Sequence, residues 1–350
     1  MVFPFLAFYC RSFVFVCGTS VLPWLLDLII LKWLGRTVIH VYLGSDSRPV
    51  YLNGKSVLDL CDTHGVLDVR GARKMLADQI RRLNTIYKNS LLVVDNPLSG
   101  LLHSGPYVNW FAMGIPTRVV THQKPMKINP GEPIRILHAP SAPEIKGTDR
   151  IRQVIADLKA EGWLIEYQEL CGVSNDTVLR RIECCHLVID EMFSDVALAG
   201  LGAEAAARGR AVVVGGYGWE AVRKFGDSFP IAPSIRIHPD NLRNELRILL
   251  ANPQLILENG AALFRYVNSC WTAQAVAERY LLLLCGQFSD AWWVEGPKLD
   301  YVGGMGASQT VIETAIRAIV EDGGLSALGL DGKDGLRNAA LRVCTMACHG

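Results

Sequence analysis

Residues 186–215 read HLVIDEMFSDVALAGLGAEAAARGRAVVVG, and this stretch decides the fold class. It opens on a continuous apolar run, Leu187–Ile189, and closes on another, Ala211–Val214. Between the two runs, Ala203–Arg208 has the composition of a short helix. Short apolar runs that flank a helix are typical of parallel strands covered on both faces. The stretch therefore predicts an α/β protein with a parallel sheet.

The same alternation continues along the rest of the chain. The other predicted strands are Phe13–Val16, Thr37–Leu43, Leu91–Val94, Ile134–His138 and Trp163–Tyr167, and the clearest predicted helices are residues 71–84, 149–161, 175–184, 241–250, 257–267, 271–285 and 311–320. Residues 121–133 hold three prolines and no periodic pattern, which is typical of a linker. We therefore expect two Rossmann-like domains, residues 1–128 and 129–270, and a C-terminal helical extension over residues 271–350.

Composition narrows the class of protein. Half of the 350 residues are hydrophobic, which excludes a disordered chain, and the net charge of +1 argues against a nucleic-acid binder. The charge is uneven, because residues 1–130 hold 14 Lys and Arg but only 7 Asp and Glu. A basic front half suits an anionic acceptor or peripheral contact with an anionic membrane. The ten cysteines include no C-x-x-C pair and are interpreted as small core residues of a cytoplasmic protein.

The apolar segment Ser12–Leu31 is long enough to span a bilayer. It contains Pro23 and Asp27, and a charge within a span is costly. We therefore expect a buried strand and helix here rather than a membrane anchor, although contact with a membrane stays an open alternative.

Two loops after predicted strands carry residues suited to a phosphate-bearing ligand. Lys146 and Gly147 stand at a helix start after the strand that ends at His138, where a cation and free backbone N–H groups suit a diphosphate. Gly200 and Gly202 allow close approach of the backbone to a ligand. A surface lysine before a capped helix explains the first loop equally well.

Two acidic residues in the decisive stretch are candidates for function. Glu204 could accept hydrogen bonds from a ribose, as acidic residues do in nucleotide-binding sheets, or could simply stabilise a helix N-terminus. Asp190 ends a buried strand, and a buried carboxylate needs a partner or a ligand.

An ordered set of motifs carries a family resemblance. It consists of HAPS from His138, KGT from Lys146, CGVSN from Cys171, LVID from Leu187 and GAEAAARGRAVVV from Gly202. This set resembles the C-terminal domain of retaining family-4 glycosyltransferases with the GT-B fold, and the front-half run LKWLGRTVIHVYLGSDSR (residues 31–48) is similar to that family's strand and loop. The resemblance covers about residues 10–286. It implies two domains that face each other across a cleft.

The resemblance also implies roles for individual residues. Lys146 would hold the diphosphate of a nucleotide-sugar donor, and Glu204 its ribose. The other implied donor-binding residues are Ser141, Gly147, Gly172, Val173, Gly200 and Gly202. Gly44, Ser45 and Arg48 would lie on the acceptor side, and Asp190, Glu191 and Asp46 are the candidate catalytic carboxylates. No metal or other cofactor is expected, because Lys146 and helix dipoles would neutralise the leaving diphosphate.

The chain departs from the family pattern at three informative positions. The residue eight positions before Glu204 is Val196, whereas the family has a first glutamate there. Ser141 stands where the family usually has an arginine. Leu43 precedes Gly44, whereas the family often has a histidine before this glycine. Despite these departures, the resemblance implies a hexosyltransferase-type enzyme of polysaccharide biosynthesis that transfers sugar with retention to a glycan or lipid-linked acceptor. A catalytically degenerate GT-B binding module and a related nucleotide-sugar epimerase are the alternatives.

Overall fold

The computed structural model describes residues 3–118, 126–222, 231–295 and 299–345. The chain divides into two compact units. Unit 1 comprises Met1–Met113, Arg279–Val302 and Gln309–Gly350, and unit 2 comprises Gly114–Glu278 and Gly303–Ser308, apart from the undescribed residues within these ranges. Residues 121–125 of the predicted linker lie outside the described residues.

The first part of unit 1 alternates strands and helices as predicted. Its strands are β1 (Ser12–Val16), β2 (Thr37–Val41), β3 (Leu92–Asp95) and β4 (Tyr107–Asn109), and its helices are α1 (Phe3–Tyr9), α2 (Leu26–Trp33), α3 (Gly54–Leu60), α4 (Val69–Asn89) and α5 (Trp110–Met113). The four strands pair in parallel in chain order. Helix α4 begins at the cap Asp68, whose carboxylate accepts a hydrogen bond from Gly71 N at 2.9 Å.

Unit 2 holds a second sheet, which is wholly parallel. Its elements are β5 (Ile134–His138), α6 (Pro143–Lys146), α7 (Thr148–Ala160), β6 (Ile165–Glu169), α8 (Asn175–Ile182), β7 (Leu187–Ile189), α9 (Gly200–Ala206), β8 (Ala211–Gly215), α10 (Trp219–Val222), β9 (Ile235–Ile237), α11 (Leu242–Ala251) and α12 (Pro253–Cys270). The strand order is β6-β5-β7-β8-β9. Separate apolar cores cover its two faces, so the predicted α/β class with two parallel sheets is confirmed.

The end of the chain is a correction to the predicted organisation. Its elements are α13 (Ala273–Leu284), β10 (Trp293–Val294), α14 (Gln309–Gly323) and α15 (Asp334–Thr345). Instead of a separate extension over residues 271–350, most of this segment belongs to unit 1. The reason is that β10 adds an antiparallel strand to the first sheet, with Trp293 opposite Val108, and α14 packs on α3 and α4.

The apolar segment near the N-terminus forms β1 and α2, as expected. The helix begins only at Leu26, because Pro23–Leu25 forms a separate 3₁₀ turn in which Trp24 and Leu25 have φ of +56° and +61°. Asp27 is fully buried, and its carboxylate accepts a hydrogen bond from Val21 N at 2.7 Å. None of the helices within the described ranges combines the length and apolar character needed to cross a bilayer.

The cysteines differ from expectation. Of the nine cysteines in the described residues, all are free thiols, only Cys185 is buried, and Cys171, Cys184 and Cys285 are exposed. Most of them are therefore not core residues, and several lie just after the end of a helix, as Cys61, Cys184 and Cys285 do.

One buried histidine in unit 1 should make stability depend on pH. His40 lies in β2 between the rings of Phe15 and Tyr42 and is fully buried. Burial lowers its pKa to about 4, outweighing the opposite effects of the Cys17 carbonyl and of nearby carboxylates. The folded state resists protonation, so its stabilising contribution is complete above the unfolded pKa of 6.5 and is lost as the pH falls towards 4.

We expect His40→Phe to remove this pH dependence, because phenylalanine keeps the ring stack and cannot take up a proton. The difference in unfolding free energy between variant and wild type should grow by about 3 kcal/mol between pH 7 and pH 4. Urea unfolding at several pH values measures this difference, with the exposed His64→Ala as control. Parallel pH profiles for wild type and His40→Phe would contradict the assignment.

Candidate nucleotide-binding pocket in unit 2

Three loops that follow β5, β6 and β7 line one pocket of about 570 Å³ in unit 2. The carboxyl ends of these neighbouring parallel strands lie at the same edge of the sheet, which is where α/β folds bind ligands. The pocket is lined by Ala139, Pro140, Ser141, Lys146, Leu170, Gly172, Val173, Asn175, Val178, Asp190, Ala199, Gly200, Leu201 and Glu204. Seven of the residues singled out in the sequence thus meet at one pocket, whose volume suits a small ligand.

Lys146 supplies the cation of the pocket. It is the last residue of α6, and Gly147 follows it with φ of +72° before α7 begins. The Lys146 ammonium group donates a hydrogen bond to Glu191 Oε2. Met192 N donates to Lys146 O at 3.1 Å, so the loop after β7 fixes the backbone of the lysine. The lysine is held at the pocket wall by a carboxylate that neutralises it.

Asp190 fixes the loop that precedes α9. Its side chain is almost fully buried, and Oδ2 accepts a hydrogen bond from Gly202 N at 3.1 Å. Burial raises the pKa of Asp190 to about 6, the negative charge of Glu191 acts in the same direction, and Lys146 opposes both. The Asp190 carboxyl group, at the pocket wall, therefore has two charged neighbours, Glu191 and Lys146, with opposite effects on its pKa.

Glu204 is oriented by a residue that sequence reasoning missed. Its two carboxylate oxygens accept hydrogen bonds from Asn175 Nδ2 at 3.1 and 3.3 Å. Asn175 begins α8 directly after Ser174, whose hydroxyl caps the helix by accepting a hydrogen bond from Thr177 N. The position of Asn175 after a cap was a local signal, but only the fold shows that it faces Glu204.

The glycines around the pocket have different structural roles: some lie at the pocket, and one allows a helix to pack on the sheet. Gly172 adopts φ of +67° at the pocket rim beside the exposed Val173. A Cβ on Gly200 would meet no atom within 4 Å, so this backbone is open to a ligand. A Cβ on Gly202 would lie 2.9 Å from Asp190 Oδ2. Gly202 therefore serves the packing of α9 on the sheet, and it does not line the pocket.

His138, another residue missed as a site component, joins three elements behind the pocket. Its fully buried ring donates from Nδ1 to Ile189 O at 2.8 Å, and Nε2 accepts from Thr148 Oγ1 at 2.9 Å. Burial lowers the pKa of His138, which keeps the ring neutral and suits this donor and acceptor pattern. The histidine thereby holds β5, β7 and α7 in register under the loops.

Asp195, the acid nearest the position of the missing glutamate, is engaged elsewhere. It is fully buried with φ of +53°, and Oδ1 accepts a hydrogen bond from Gly218 N at 2.8 Å. It does not line the pocket. The structure therefore does not place Asp195 where it could replace a glutamate at position 196.

The predicted acceptor-side residues all lie in unit 1. Gly44 has φ of +121° and lies in the loop after β2. The Asp46 carboxylate accepts hydrogen bonds from Gly18 N at 3.1 Å and from Ser45 Oγ at 3.2 Å. Arg48 is buried and donates to Ser99 Oγ at 3.2 Å. In unit 1, Asp46 holds two loops together, and its catalytic role stays a prediction.

Across residues 3–118, 126–222, 231–295 and 299–345, no group of three or more His, Cys, Asp or Glu residues is placed to hold a metal ion.

Comparison with known proteins gives distant structural similarity only. No protein-family model matches the chain, and no curated protein matches it significantly. Among solved structures it is similar to Anabaena Alr3699/HepE in complex with UDP, with 10% identity, a TM-score of 0.48 and 81% of each chain covered. It is also similar to S. aureus TarM in complex with UDP, at 12% identity and a TM-score of 0.42 over 77% of this chain. The chain spans 55% of the length of TarM.

A third similar structure is the glycosyltransferase SnogD from Streptomyces nogalater, with 12% identity and a TM-score of 0.33 over 78% of this chain and 99% of SnogD. Identities and TM-scores at this level do not establish a shared function. The functional assignment therefore depends on the residues of the unit 2 pocket.

Proposed function

We propose that the chain is a glycosyltransferase of the GT-B type that binds a nucleoside diphosphate sugar in the pocket of unit 2. One observation carries this proposal: Lys146, Glu204 and the exposed backbone of Gly200 line the same pocket of about 570 Å³, at the carboxyl edge of a parallel sheet. A cation, a carboxylate and open main chain are what the phosphates, the ribose diol and the sugar of such a donor require.

The charges of the pocket suit a diphosphate that competes with a carboxylate. Lys146 would exchange its bond to Glu191 for bonds to the diphosphate, and Glu191 would then lose its counter-ion. Ammonium groups bind phosphate through charge-assisted hydrogen bonds, and they stabilise a diphosphate leaving group without a metal. Ser141, on the loop that precedes α6, adds a hydroxyl donor to the lining.

The remaining lining residues would place the other parts of the donor. Glu204, oriented by Asn175, would accept hydrogen bonds from the ribose hydroxyls, and Gly172 with Val173 would border the base. Asp190 and Glu191 would lie near the sugar. Asp190 also fixes the start of α9, because its carboxylate accepts the hydrogen bond from Gly202 N.

In the proposed reaction an acceptor hydroxyl oxygen bonds to the anomeric carbon as the bond from that carbon to the diphosphate oxygen breaks. The hydroxyl proton passes to the departing diphosphate, and the sugar keeps its anomeric configuration. We propose that unit 1 binds a glycan or lipid-linked acceptor through Gly44, Ser45, Asp46 and Arg48. The implied setting is polysaccharide biosynthesis in the cytoplasm, with hexose as the transferred group.

A catalytically degenerate binding module is the second candidate, and two observations favour it. Position 196 is valine, and Asp195 is committed to Gly218 N. Such a module would bind nucleotide without turnover. An epimerase of related fold is less well supported, because it would need further acids and histidines around the sugar, and the described lining offers only Asp190 and Glu204.

The proposal is tested by a thermal-shift panel of nucleosides, nucleoside diphosphates and nucleotide sugars, followed by calorimetry with the best ligand. A ligand that prefers the folded state raises the melting temperature. Glu204→Ala should weaken nucleotide-sugar binding by about tenfold, because the ribose loses charge-assisted hydrogen bonds. Release of nucleoside diphosphate in the presence of acceptor favours the enzyme, whereas binding without release favours the module. Failure of every nucleotide to shift the melting temperature would overturn both.

Glu191→Gln should have the opposite effect on affinity. Glutamine keeps the size of the side chain but removes the charge that competes with a diphosphate for Lys146, so affinity for a nucleoside diphosphate should rise by about tenfold. Calorimetry measures the change, with the exposed Glu166→Gln as control. A drop in affinity would instead mean that Glu191 contacts the ligand directly.

A further inference from the structure

Helix α2 in unit 1 is apolar on both of its faces. Its buried face carries Leu28 and Leu31, which are fully buried. The opposite face carries Leu26, Ile29, Ile30 and Trp33, at the i, i+3, i+4 and i+7 spacing of one helical stripe. These four side chains are between 39% and 84% exposed. A surface helix of a globular protein has polar residues on this side, but here nothing among the described residues buries the apolar stripe.

The exposed apolar surface continues beyond both ends of α2. Before the helix, Val21 and Trp24 are exposed, and Trp24 is 86% exposed. After the helix, Arg36 ties the end of α1 to this region by donating to Ala7 O at 2.9 Å and to Phe8 O at 3.0 Å. The most exposed apolar side chains of α1, of α2 and of the turn between β1 and α2 are named here the α1–α2 face: Phe5, Phe8, Tyr9, Val21, Trp24, Leu26, Ile29, Ile30 and Trp33.

Cations border this face. A second pocket, of about 670 Å³, is lined by the loop from Gly18 to Leu25 and by Asp78, Arg81, Arg82 and Thr85 of α4. Trp24 and the two arginines therefore line one cavity. Helix α4 carries six Lys and Arg but only one acid, Asp78, which pairs with Arg81 at 2.9 Å. Asp27, the single acid of α2, is buried and hydrogen-bonded, so it adds no negative charge to the surface.

We propose that the α1–α2 face docks unit 1 onto an anionic lipid bilayer, with the apolar side chains in the interface and the arginines of α4 at the headgroups. Apolar side chains presented on a protein surface beside cations can enter the membrane interface without crossing the bilayer. Tryptophan and tyrosine, here Tyr9, Trp24 and Trp33, prefer the depth of the headgroups, and cations near an anionic leaflet add to the binding. Membrane docking does not rest on the proposed transferase activity.

The choice of a bilayer over a protein partner follows from the charge and aromatic pattern. Exposed aromatic residues lie at both ends of the α2 stripe, and the neighbouring cavity joins an indole to two guanidinium groups. An apolar anchor beside cations complements a lipid, which offers acyl chains next to a phosphate.

The test is flotation of the full chain with vesicles of phosphatidylcholine alone or with about a third phosphatidylglycerol. Wild type should float with the anionic vesicles. The variant Ile30→Glu with Trp33→Glu should bind them at least about tenfold more weakly, because it places two negative charges on the exposed apolar stripe. The matched control is Ile248→Glu with Leu281→Glu, two exposed apolar positions outside the face, which should bind like wild type.

A second variant examines the cations. Arg81→Gln with Arg82→Gln should weaken binding to anionic vesicles by about fivefold for each charge removed, and added salt should reduce the difference. The proposal is overturned if wild type floats with neither vesicle, or if the double glutamate variant floats as well as wild type. It is also overturned if, without lipid, wild type is a stable dimer that the glutamate variant dissociates, because the face would then be a contact between copies of the chain.

Discussion

Replacing Lys146 by alanine is expected to weaken the binding of a nucleoside diphosphate by at least about a hundredfold. Lys146 is the cation that lines the pocket of unit 2, and its ammonium group already bonds to Glu191. Without it, two carboxylates, Asp190 and Glu191, would face the phosphates with no positive charge between them. Repulsion would then add to the loss of the charge-assisted hydrogen bonds.

Calorimetry with the nucleoside diphosphate and with the matching nucleoside distinguishes this effect from general damage. The nucleoside lacks phosphates, so its affinity should stay nearly unchanged in Lys146→Ala. The matched control is Lys159→Ala, an exposed lysine near the end of α7 in the same unit. Equal affinity of Lys146→Ala and wild type for the nucleoside diphosphate would remove Lys146 from the site.

The second large effect is expected at Gly147, where alanine should cost about 3 kcal/mol of unfolding free energy. Gly147 has φ of +72°, which strains any residue with a Cβ. That Cβ would also lie 2.8 Å from Met192 Cβ and 2.8 Å from Phe193 Cε2. Relief of the overlap must displace the loop after β7, which includes the hydrogen bond from Met192 N to Lys146 O, so nucleotide binding should weaken as well.

Gly162→Ala separates the two causes. Gly162 has φ of +93° in the same unit, but a Cβ there would meet no atom within 4 Å. Gly162→Ala should therefore lower the free energy of unfolding only by the backbone strain, about 1 kcal/mol. Denaturant unfolding of both variants measures the difference. Similar losses at the two positions would show that the contact of Gly147 with the loop after β7 carries no energy.

Much of the fold could be predicted from local patterns. The strand Ile134–His138 is found at its predicted bounds, because a β-branched run between two proline-containing segments has well-defined ends. Within residues 186–215 the composition predicts a helix that begins at Ala203, but α9 begins at Gly200. Glycine has a low helix propensity, and the hydrogen bond from Gly202 N to Asp190 that fixes this end joins residues 12 positions apart. Local composition could not reveal it.

Other features depended on contacts that no local pattern records. Strand β10 is only two residues long and exists because it pairs with β4, so no local pattern indicates that the chain end returns to the first sheet. The turn at Trp24 and Leu25 stood within a run that looks helical, and the left-handed backbone there shortens α2.

The sequence was enough to predict which loops line the pocket of unit 2. It was not enough to predict which side chains bond to each other within that pocket. Because ligands bind at the carboxyl ends of parallel strands, the loops after β5, β6 and β7 were expected to meet. The pairing of Lys146 with Glu191 joins residues 45 positions apart and depends on β5 and β7 being neighbours. The same holds for Asn175 and Glu204, which belong to two different helices.

The most direct measurement is a crystal structure of the chain with the nucleoside diphosphate that binds most tightly. We expect the diphosphate in the unit 2 pocket within hydrogen-bonding distance of Lys146 Nζ, with a ribose hydroxyl on the Glu204 carboxylate. A nucleotide bound elsewhere, or a pocket that stays empty while Lys146 keeps its bond to Glu191, would contradict the assignment of this pocket to a nucleotide-sugar donor.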